Sequence, residues 1–434
     1  MSQYPTSIAS EARLQLHALN IRCEDGEYIV GRPDIGEFIG LPPVGVRIIE
    51  LISQGATPRL AEEQLAAECG EVIDVTAFIE QLLEVGFIAA VDGRSVAEKA
   101  SKPPNLVWLR PGHVQWLFGI PAKVVYATLV SAALVTLVLR PGLLPGYQDF
   151  FWSTTLLWVM LFNSAIFYGM IALHELAHLI AARSYGVPAW IGLGTRLANL
   201  VVQTDVTGLW SCPRYQRYRV YLAGMATDLL LAAMALLAIA WLPLPALLAS
   251  LLQVVLLCGF LLVMFQVQVF MRTDLYFVLM DLLRCHNLHP ESLGYLRYLA
   301  KRLVTHQKLT RFVQWRRRSQ QSPSPLAALA VGDRRKIQLF SLLVLVGSAV
   351  SLGIFFRYGI PTILSLLWQA GNNTWQGWLA HNYRLLADGS VTLMIQGVIE
   401  ILFVRTLWRD LWPRLAKWRS ARKAETEFDN SHNS

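Results

Sequence analysis

The feature that most constrains this chain is a series of six long apolar runs, each near the length that a helix needs to cross a lipid bilayer. The hydrocarbon core of a bilayer is about 30 Å thick, and a helix of about 20 residues spans it. The runs occupy 122–139, 153–183, 219–242, 247–270, 337–356 and 390–408. With 54% hydrophobic residues, 16% charged residues and a mean hydropathy of +0.41, the composition excludes an ordinary soluble protein. We predict a mainly α-helical, polytopic membrane protein with about six transmembrane helices.

The basic residues predict how these runs are oriented. The formal net charge is +8, and Lys and Arg concentrate in two of the connecting segments and in the C-terminal tail, whereas 141–152 and 243–246 contain neither. Basic loops stay on the cytoplasmic side, so both termini are predicted to be cytoplasmic. The basic segments are 184–218 with Arg214 and Arg217, followed directly by Arg219 at the start of the third run, 271–336 with Lys301, Arg302, Arg316, Arg317 and Arg318, and 411–434. A multi-pass protein of a bacterial inner membrane, in contact with anionic lipid, fits this pattern.

Cysteine usage and the first residues agree with that topology. The five cysteines are far apart and form no C-x-x-C pair, so we predict neither a disulfide framework nor a zinc knuckle. Residues 1–30 lack a basic start followed by an unbroken apolar core, so no secretory signal is predicted there.

Residues 1–95 read as a small soluble α+β domain, which we call the front domain. Short extended pieces (EYIVG and EFIGL) precede three amphipathic helices predicted at 43–54, 58–69 and 74–85, and FIAAV then predicts a strand. This order is winged-helix-like. Nucleic-acid binding is disfavoured because the segment has few basic residues to neutralise phosphates. Residues 96–121 are a Pro-rich linker and interfacial approach, where Trp108 and Trp116 suit the headgroup level.

The second apolar run contains the sequence His174-Glu175-Leu176-Ala177-His178. Residues four apart lie on one face of a helix, so the two imidazoles are placed to bind one metal ion, and Glu175 is placed to act as a general base. Zinc suits this pattern. Chance would produce H-E-x-x-H in a small fraction of chains this long. However, three ionisable groups in a membrane span are costly unless they are paired or liganded, which favours a functional site.

A zinc centre of this kind needs a third protein ligand. Two aspartates are candidates: Asp274 follows the fourth run on the predicted cytoplasmic side, and Asp228 lies about ten residues into the third run from that side. For Asp228 the alternative role is hydrogen bonding between packed helices. Spacing alone leaves both candidates open.

Two stretches resemble known families. The stretch from 36 to 88 (GEFIGLPPVGVRIIEL to LLEVGFI) resembles a PqqD-like peptide-binding domain. HELAHLIAARSYGV, together with VVQTDVTGLWSCPRYQRYRVYLAGMATDLLLA, is similar to the site-2 protease family of intramembrane zinc proteases, and specifically to putative peptide zinc metalloproteases with such a front end. The resemblance implies that 122–285 is the protease core and that Asp274 is the third ligand, with His174 and His178, of a Zn²⁺ ion.

The remaining segments complete the predicted organisation. A basic cytoplasmic loop at 286–336 would be followed by C-terminal transmembrane helices at 337–410 and by the tail. Within the loop, 297–318 has helical spacing suited to lying on anionic lipid. Segment 190–212 predicts a hairpin whose edge could accept an extended substrate. Several other polar residues are interpreted as packing, solvated or incidental groups: Asn163, Asp281, His286, His381 and Glu400, the last with an access-path role as an open alternative.

The predicted function is that of an intramembrane zinc metalloprotease acting on a peptide or membrane-protein substrate near the cytoplasmic face. Peptide-maturation or export proteins are possible partners. One alternative is a non-proteolytic membrane subunit for maturation or export of a ribosomally made, modified peptide. Another is a membrane-tethered transcription regulator, which would retain DNA in a strongly salt-dependent manner.

Overall fold

The computed structural model describes residues 8–24, 26–70, 73–97, 99, 105–196, 199–285, 288–309, 326 and 331–431. His286, Arg316, Arg317 and Arg318 lie outside the described residues. The chain divides into two compact units. The first contains Met1–Lys123, Glu175–Gly192 and Thr204–Gly224, and the second contains Val124–His174, Leu193–Gln203 and Met225–Ser434.

The front domain has the three predicted helices and the strands predicted at EYIVG, EFIGL and FIAAV, together with three strands that were not predicted. Its helices are α1 Pro43–Ser53, α2 Pro58–Cys69 and α3 Val75–Val85. Its strands are β1 Leu14–Leu16, β2 Asn20–Glu24, β3 Glu27–Arg32, β4 Glu37–Leu41, β5 Ile88–Val91 and β6 Arg94–Ser95. They form two three-stranded antiparallel sheets, in the orders β1-β5-β6 and β2-β3-β4.

Local signals in the sequence explain where these helices begin and end. The Thr57 side chain accepts a hydrogen bond from Leu60 N, and the Asp74 side chain accepts one from Ala77 N, so both residues cap a helix N-terminus. Gly86 ends α3 in the left-handed conformation, at φ 88°. The apolar faces meet in one core that includes Ile48, Leu65, Ile79 and Phe87.

Outside the front domain, the first unit includes three α-helical elements. These are α4 Pro111–Val114, the part of α6 (Leu156–Ser184) from Glu175 onward, and α7 Arg214–Tyr221. Strands β2, β3 and β4 contact the 3₁₀ helix Thr207–Ser211, which precedes α7. The apolar run predicted at 219–242 begins with Arg219. Instead the Arg- and Tyr-rich α7 is a separate helix, and the apolar helix begins at Ala223.

The second unit is built from long helices. They are α5 Ile120–Leu139, α6 Leu156–Ser184, α8 Ala223–Trp241, α9 Ala246–Gln266, α10 Asp274–Leu283, α11 Leu288–Leu309, α12 Val331–Ile354, α13 Ile360–Leu379 and α14 Tyr383–Ser431. Between α6 and α8 lies the hairpin of β7 Trp190–Arg196 and β8 Asn199–Asp205. The predicted hairpin at 190–212 is therefore present.

Among the described residues, six helices are long and apolar enough to cross a membrane. They are Ile120–Leu139, Leu156–Ser184, Ala223–Trp241, Ala246–Gln266, Val331–Leu379 and Tyr383–Thr406. Large apolar side chains on them are strongly exposed, for example Val138 at 80% and Ile120 at 78%. Such surfaces are costly in water and ordinary in lipid, so this arrangement suggests a multi-pass membrane protein.

The fifth of these helical runs differs from the prediction of a single helix at 337–356. A π-helical turn, Phe355–Gly359, joins α12 to α13, and α13 lies where the sequence reading placed no helix. Polar residues such as Asn372 and Asn373 dilute the apolar signal of α13. Packing against α14 explains its presence: a Cβ on Gly377 would overlap the backbone of Leu386, so the glycine permits close approach of the two helices.

Asp388 of α14 closes the N-terminal end of α6. Its carboxylate accepts hydrogen bonds from Leu156 N at 3.1 Å and Leu157 N at 2.9 Å, and from the Asn373 side chain at 3.0 Å. The first N–H groups of a helix have no partner within the helix, and an acidic group there satisfies them and favours the helix dipole. This cap anchors the start of the helix that carries the histidines.

Candidate metal centre

Helix α6 places His174 and His178 one turn apart, as the spacing predicted. Both imidazoles are buried, with exposures of 6% and 5%. A buried imidazole needs partners for its ring nitrogens, and the structure gives a partner for both nitrogens of His174 and for Nδ1 of His178.

The two nitrogens of His174 face two different carboxylates. Nδ1 lies 2.6 Å from Oδ2 of Asp228 in α8, and Nε2 lies 3.0 Å from Oδ2 of Asp274 at the start of α10. A neutral imidazole carries only one N–H, so one hydrogen bond leaves the other nitrogen with a lone pair directed at a carboxylate. A second proton on the ring or a cation between the two groups removes that conflict.

The hydrogen-bond partner of Nδ1 determines which nitrogen of His178 carries the proton. Nδ1 lies 2.7 Å from the carbonyl oxygen of Val220 in α7, and a carbonyl only accepts hydrogen bonds. Nδ1 must therefore carry the proton, which makes Nε2 the nitrogen with the lone pair. Histidine ligands of metal ions commonly have their second nitrogen oriented in this way.

His174, His178 and Asp274 form a cluster that could hold a metal ion, and we call these three residues the metal group. One ligand atom from each lies within 4.8 Å of the other two. Ligand atoms at about 2.0–2.2 Å from a tetrahedral zinc ion are about 3.3 Å apart. The separation of 3.0 Å between His174 Nε2 and Asp274 Oδ2 is near that value.

The structure gives the two candidate aspartates different positions. Asp274 belongs to the metal group, whereas Asp228 contacts the opposite nitrogen of His174. Asp228 is completely buried, and its Oδ1 has no hydrogen-bond partner among the described residues. With Nδ1 of His174 donating to Asp228, Nε2 is left with the lone pair, so Asp228 orients the histidine toward Asp274.

Gln266, which the sequence reading did not consider, holds Asp274 in place. Its Oε1 accepts a hydrogen bond from Asp274 N at 3.1 Å, and its Nε2 lies 3.4 Å from His174 Nε2. The Thr273 hydroxyl donates to the Gln266 carbonyl at 2.8 Å. Arg272, just before, has φ 58°, a left-handed conformation that is unfavourable for a residue with a side chain. The sequence feature that could have indicated this role is a glutamine at the end of an apolar run, eight residues before Asp274.

Thr204, at the end of β8, holds Glu175. Its backbone N–H donates to Glu175 Oε2 at 2.8 Å, and its hydroxyl donates to the Glu175 carbonyl at 2.9 Å. The carboxylate is therefore fixed in position while remaining partly accessible. The sequence reading predicted the hairpin but did not predict that one of its threonines contacts Glu175.

Other polar residues considered from the sequence have structural contacts or lie in turns. The Asn163 side chain accepts from Trp152 Nε1 and donates to the Phe150 carbonyl, both at 2.9 Å, which is a packing role. Glu400 accepts a hydrogen bond from Gln396 at 2.8 Å. Asp281, interpreted from the sequence as a solvated group or one that supports the ligands, is buried at 2% exposure, which contradicts the solvated role only. His381 is exposed in the turn between α13 and α14.

Comparison with known proteins assigns neither a family nor a function to this chain. No family model, no curated protein and no solved structure matches this chain.

Proposed function

We propose that this protein is an intramembrane zinc metalloprotease of the site-2 type that cleaves a peptide or membrane-protein substrate near the cytoplasmic face. The observation that carries the proposal is the buried metal group His174, His178 and Asp274, with Glu175 next to it in the same helix. Three protein ligands with one position left open is the arrangement of catalytic zinc sites.

The donor set supports zinc as the metal. Two imidazole nitrogens and one carboxylate oxygen are ligands that Zn²⁺ accepts, and the second nitrogens of both histidines are held by Asp228 and by Val220. Bound zinc would polarise the scissile carbonyl and lower the pKa of a water molecule toward about 7.

Glu175 is the residue that would move the proton. Among the described residues, its carboxylate accepts a hydrogen bond from Thr204 N at Oε2, and Oε1 retains capacity to accept a proton from water and return it to the leaving amine. The hydrogen bond also restricts the rotation of the side chain, which keeps the base close to its working position.

The hairpin supports a role in substrate binding. Thr204, the second-last residue of β8, contacts Glu175, so a peptide added as a strand at the hairpin edge would lie near the catalytic base. Strand addition satisfies the backbone of an extended peptide, and a protease requires an extended backbone at the scissile bond.

The membrane placement rests on the six apolar helices and the basic segments. Arg214, Arg219 and the tail after 411 would lie on the cytoplasmic side of a bacterial inner membrane, close to anionic headgroups, with both termini inside. The front domain, which resembles a PqqD-like domain, would recruit the peptide substrate and could contact peptide-maturation or export proteins.

A second candidate function has one observation in its favour. A doubly protonated His174 would satisfy Asp228 and Asp274 together without any metal, so the cluster is chemically stable as a purely structural element. That favours a non-proteolytic membrane subunit for maturation or export of a ribosomally made, modified peptide.

Removal of zinc separates the two functions. The purified full-length protein is mixed with detergent-solubilised membrane proteins from its host, and new peptide N-termini are detected by mass spectrometry. We expect 1,10-phenanthroline to abolish their formation and added zinc to restore it. New N-termini that persist at an unchanged rate in the chelator would contradict the proposed function, and a protein that yields none with zinc bound would favour the second candidate.

A further inference from the structure

Glu24, the last residue of β2, forms a charged contact with α7. Its carboxylate accepts hydrogen bonds from Arg217 Nη1 at 3.0 Å and from Arg217 Nη2 at 3.0 and 3.1 Å, and Arg214 Nε lies 3.0 Å away. Arg217 is completely buried. A buried guanidinium requires a compensating charge, so Glu24 is the group that makes this position of Arg217 tolerable.

Two further contacts of Arg217 lie in the segment just before α7. Its Nη1 also donates to the Cys212 carbonyl at 3.2 Å, and its guanidinium lies 4.9 Å from the centre of the Trp210 ring. Burial raises the pKa of the Cys212 thiol, although the hydrogen bond with Ser211 and the nearby charges of Arg22 and Arg217 act in the opposite direction. The thiol therefore stays protonated and unreactive in this cluster.

Helix α7 connects Arg217 to the metal group. Val220 follows Arg217 by three residues, one turn along the same helix, and its carbonyl accepts the N–H of His178. The Val220 carbonyl lies in the last turn of α7, and a carbonyl oxygen has two lone pairs, so it can accept the His178 N–H as well as a backbone N–H. A displacement of α7 would therefore weaken the hydrogen bond that keeps the proton of His178 on Nδ1.

We propose that Glu24 is a positioning residue for the metal centre. Its ion pair with Arg217 holds α7 so that the Val220 carbonyl keeps His178 in the tautomer whose Nε2 binds the metal. This inference rests on the proposed metal binding but not on proteolysis. It also gives the front domain a route to the metal, because whatever moves β2 alters the hydrogen bond on His178.

The coupling is reciprocal. If the Glu24 contact increases the affinity of the metal group for zinc, then zinc stabilises the contact between β2 and α7 by the same factor. Zinc should therefore slow amide hydrogen exchange in β2 and β3 of the wild-type protein, and should do so less in a Glu24→Gln protein.

The direct test is the zinc affinity of the purified full-length protein, measured by competition with a chelating dye. We expect Glu24→Gln and Arg217→Gln each to weaken zinc binding by roughly 10-fold, the lower end of the range for partners that orient a ligand. We expect the double variant to weaken it no further, because both changes break one link. Glu68→Gln, which breaks the exposed Arg47 pair of the same domain, is the control and should leave the affinity unchanged.

The outcomes separate this inference from the proposed function. Zinc affinity within twofold of wild type in Glu24→Gln, or losses that multiply in the double variant, would overturn the positioning role while leaving the metal site intact. Absence of zinc binding in the wild-type protein would overturn both. If Glu24→Gln does not fold, Glu24→Asp keeps the charge with a shorter side chain. Its Co²⁺ absorption spectrum should differ from wild type, and an identical spectrum with unchanged affinity would contradict the inference.

Discussion

A Glu175→Gln protein is expected to bind zinc as the wild type does and to lose peptide cleavage by about 10²- to 10⁴-fold, the usual contribution of a general base. Glutamine has nearly the same shape as glutamate and its amide oxygen still accepts the Thr204 N–H, so the local structure should be retained. The amide cannot take up a proton from water. Cleavage is measured as new N-termini, alongside zinc content, on the same preparation.

The control for this change is Glu84→Gln, which alters an exposed glutamate of the front domain and should leave both cleavage and zinc content unchanged. Cleavage by Glu175→Gln at the wild-type rate would show that another group acts as the base, or that the activity does not belong to this protein.

The second large effect concerns the two aspartates. We expect Asp274→Ala to purify with well under one zinc per chain, because it removes a member of the metal group. Asp228→Asn should retain zinc with roughly 10-fold lower affinity, because the asparagine oxygen can still accept the Nδ1 proton of His174 while the charge is lost. Metal analysis after gel filtration provides the measurement.

Asp333→Asn is a suitable control, since Asp333 is a partly exposed residue in the first turn of α12 and pairs with Lys336. The opposite ranking, with zinc retained in Asp274→Ala and lost in Asp228→Asn, would contradict the assignment of Asp274 as ligand and of Asp228 as the orienting group.

Periodic and local signals in the sequence predicted much of the fold. The three front-domain helices follow from their apolar spacing and from caps such as Thr57, Asp74 and Gly86, which act within a few residues. The apolar runs predicted the helices of the second unit because a length of about 20 apolar residues is an unambiguous signal. Helix α13 was not predicted, since its stability depends on contact with α14 through Gly377 and Gly389 rather than on its own composition.

The histidines of the candidate site were predictable, but their supporting contacts were not. H-E-x-x-H places His174 and His178 on one helical face by geometry alone. Asp228 lies 54 positions and Asp274 lies 100 positions from His174, which is further than any periodic signal in the sequence reaches, so only the fold distinguishes them. The Val220 partner is a backbone carbonyl, which every residue type has, so the sequence carries no mark of it.

The contact between Glu24 and Arg217 illustrates the same limit. The two residues lie 193 positions apart, and Arg217 was interpreted from its charge as part of a basic cytoplasmic segment. The structure shows it buried, paired with a carboxylate and stacked near Trp210. Charge patterns predict the side of a membrane well, but they do not predict which charged residue is removed from solvent.

X-ray absorption at the zinc edge, on full-length protein loaded with one equivalent of zinc, tests the central claim most directly. A centre formed by His174, His178 and Asp274 should show imidazole and carboxylate scatterers at about 2.0–2.1 Å and no sulfur shell. The imidazole contribution should decrease in a His178→Ala protein. Protein that retains no zinc under these conditions, or a spectrum dominated by sulfur at about 2.3 Å, would contradict the claim.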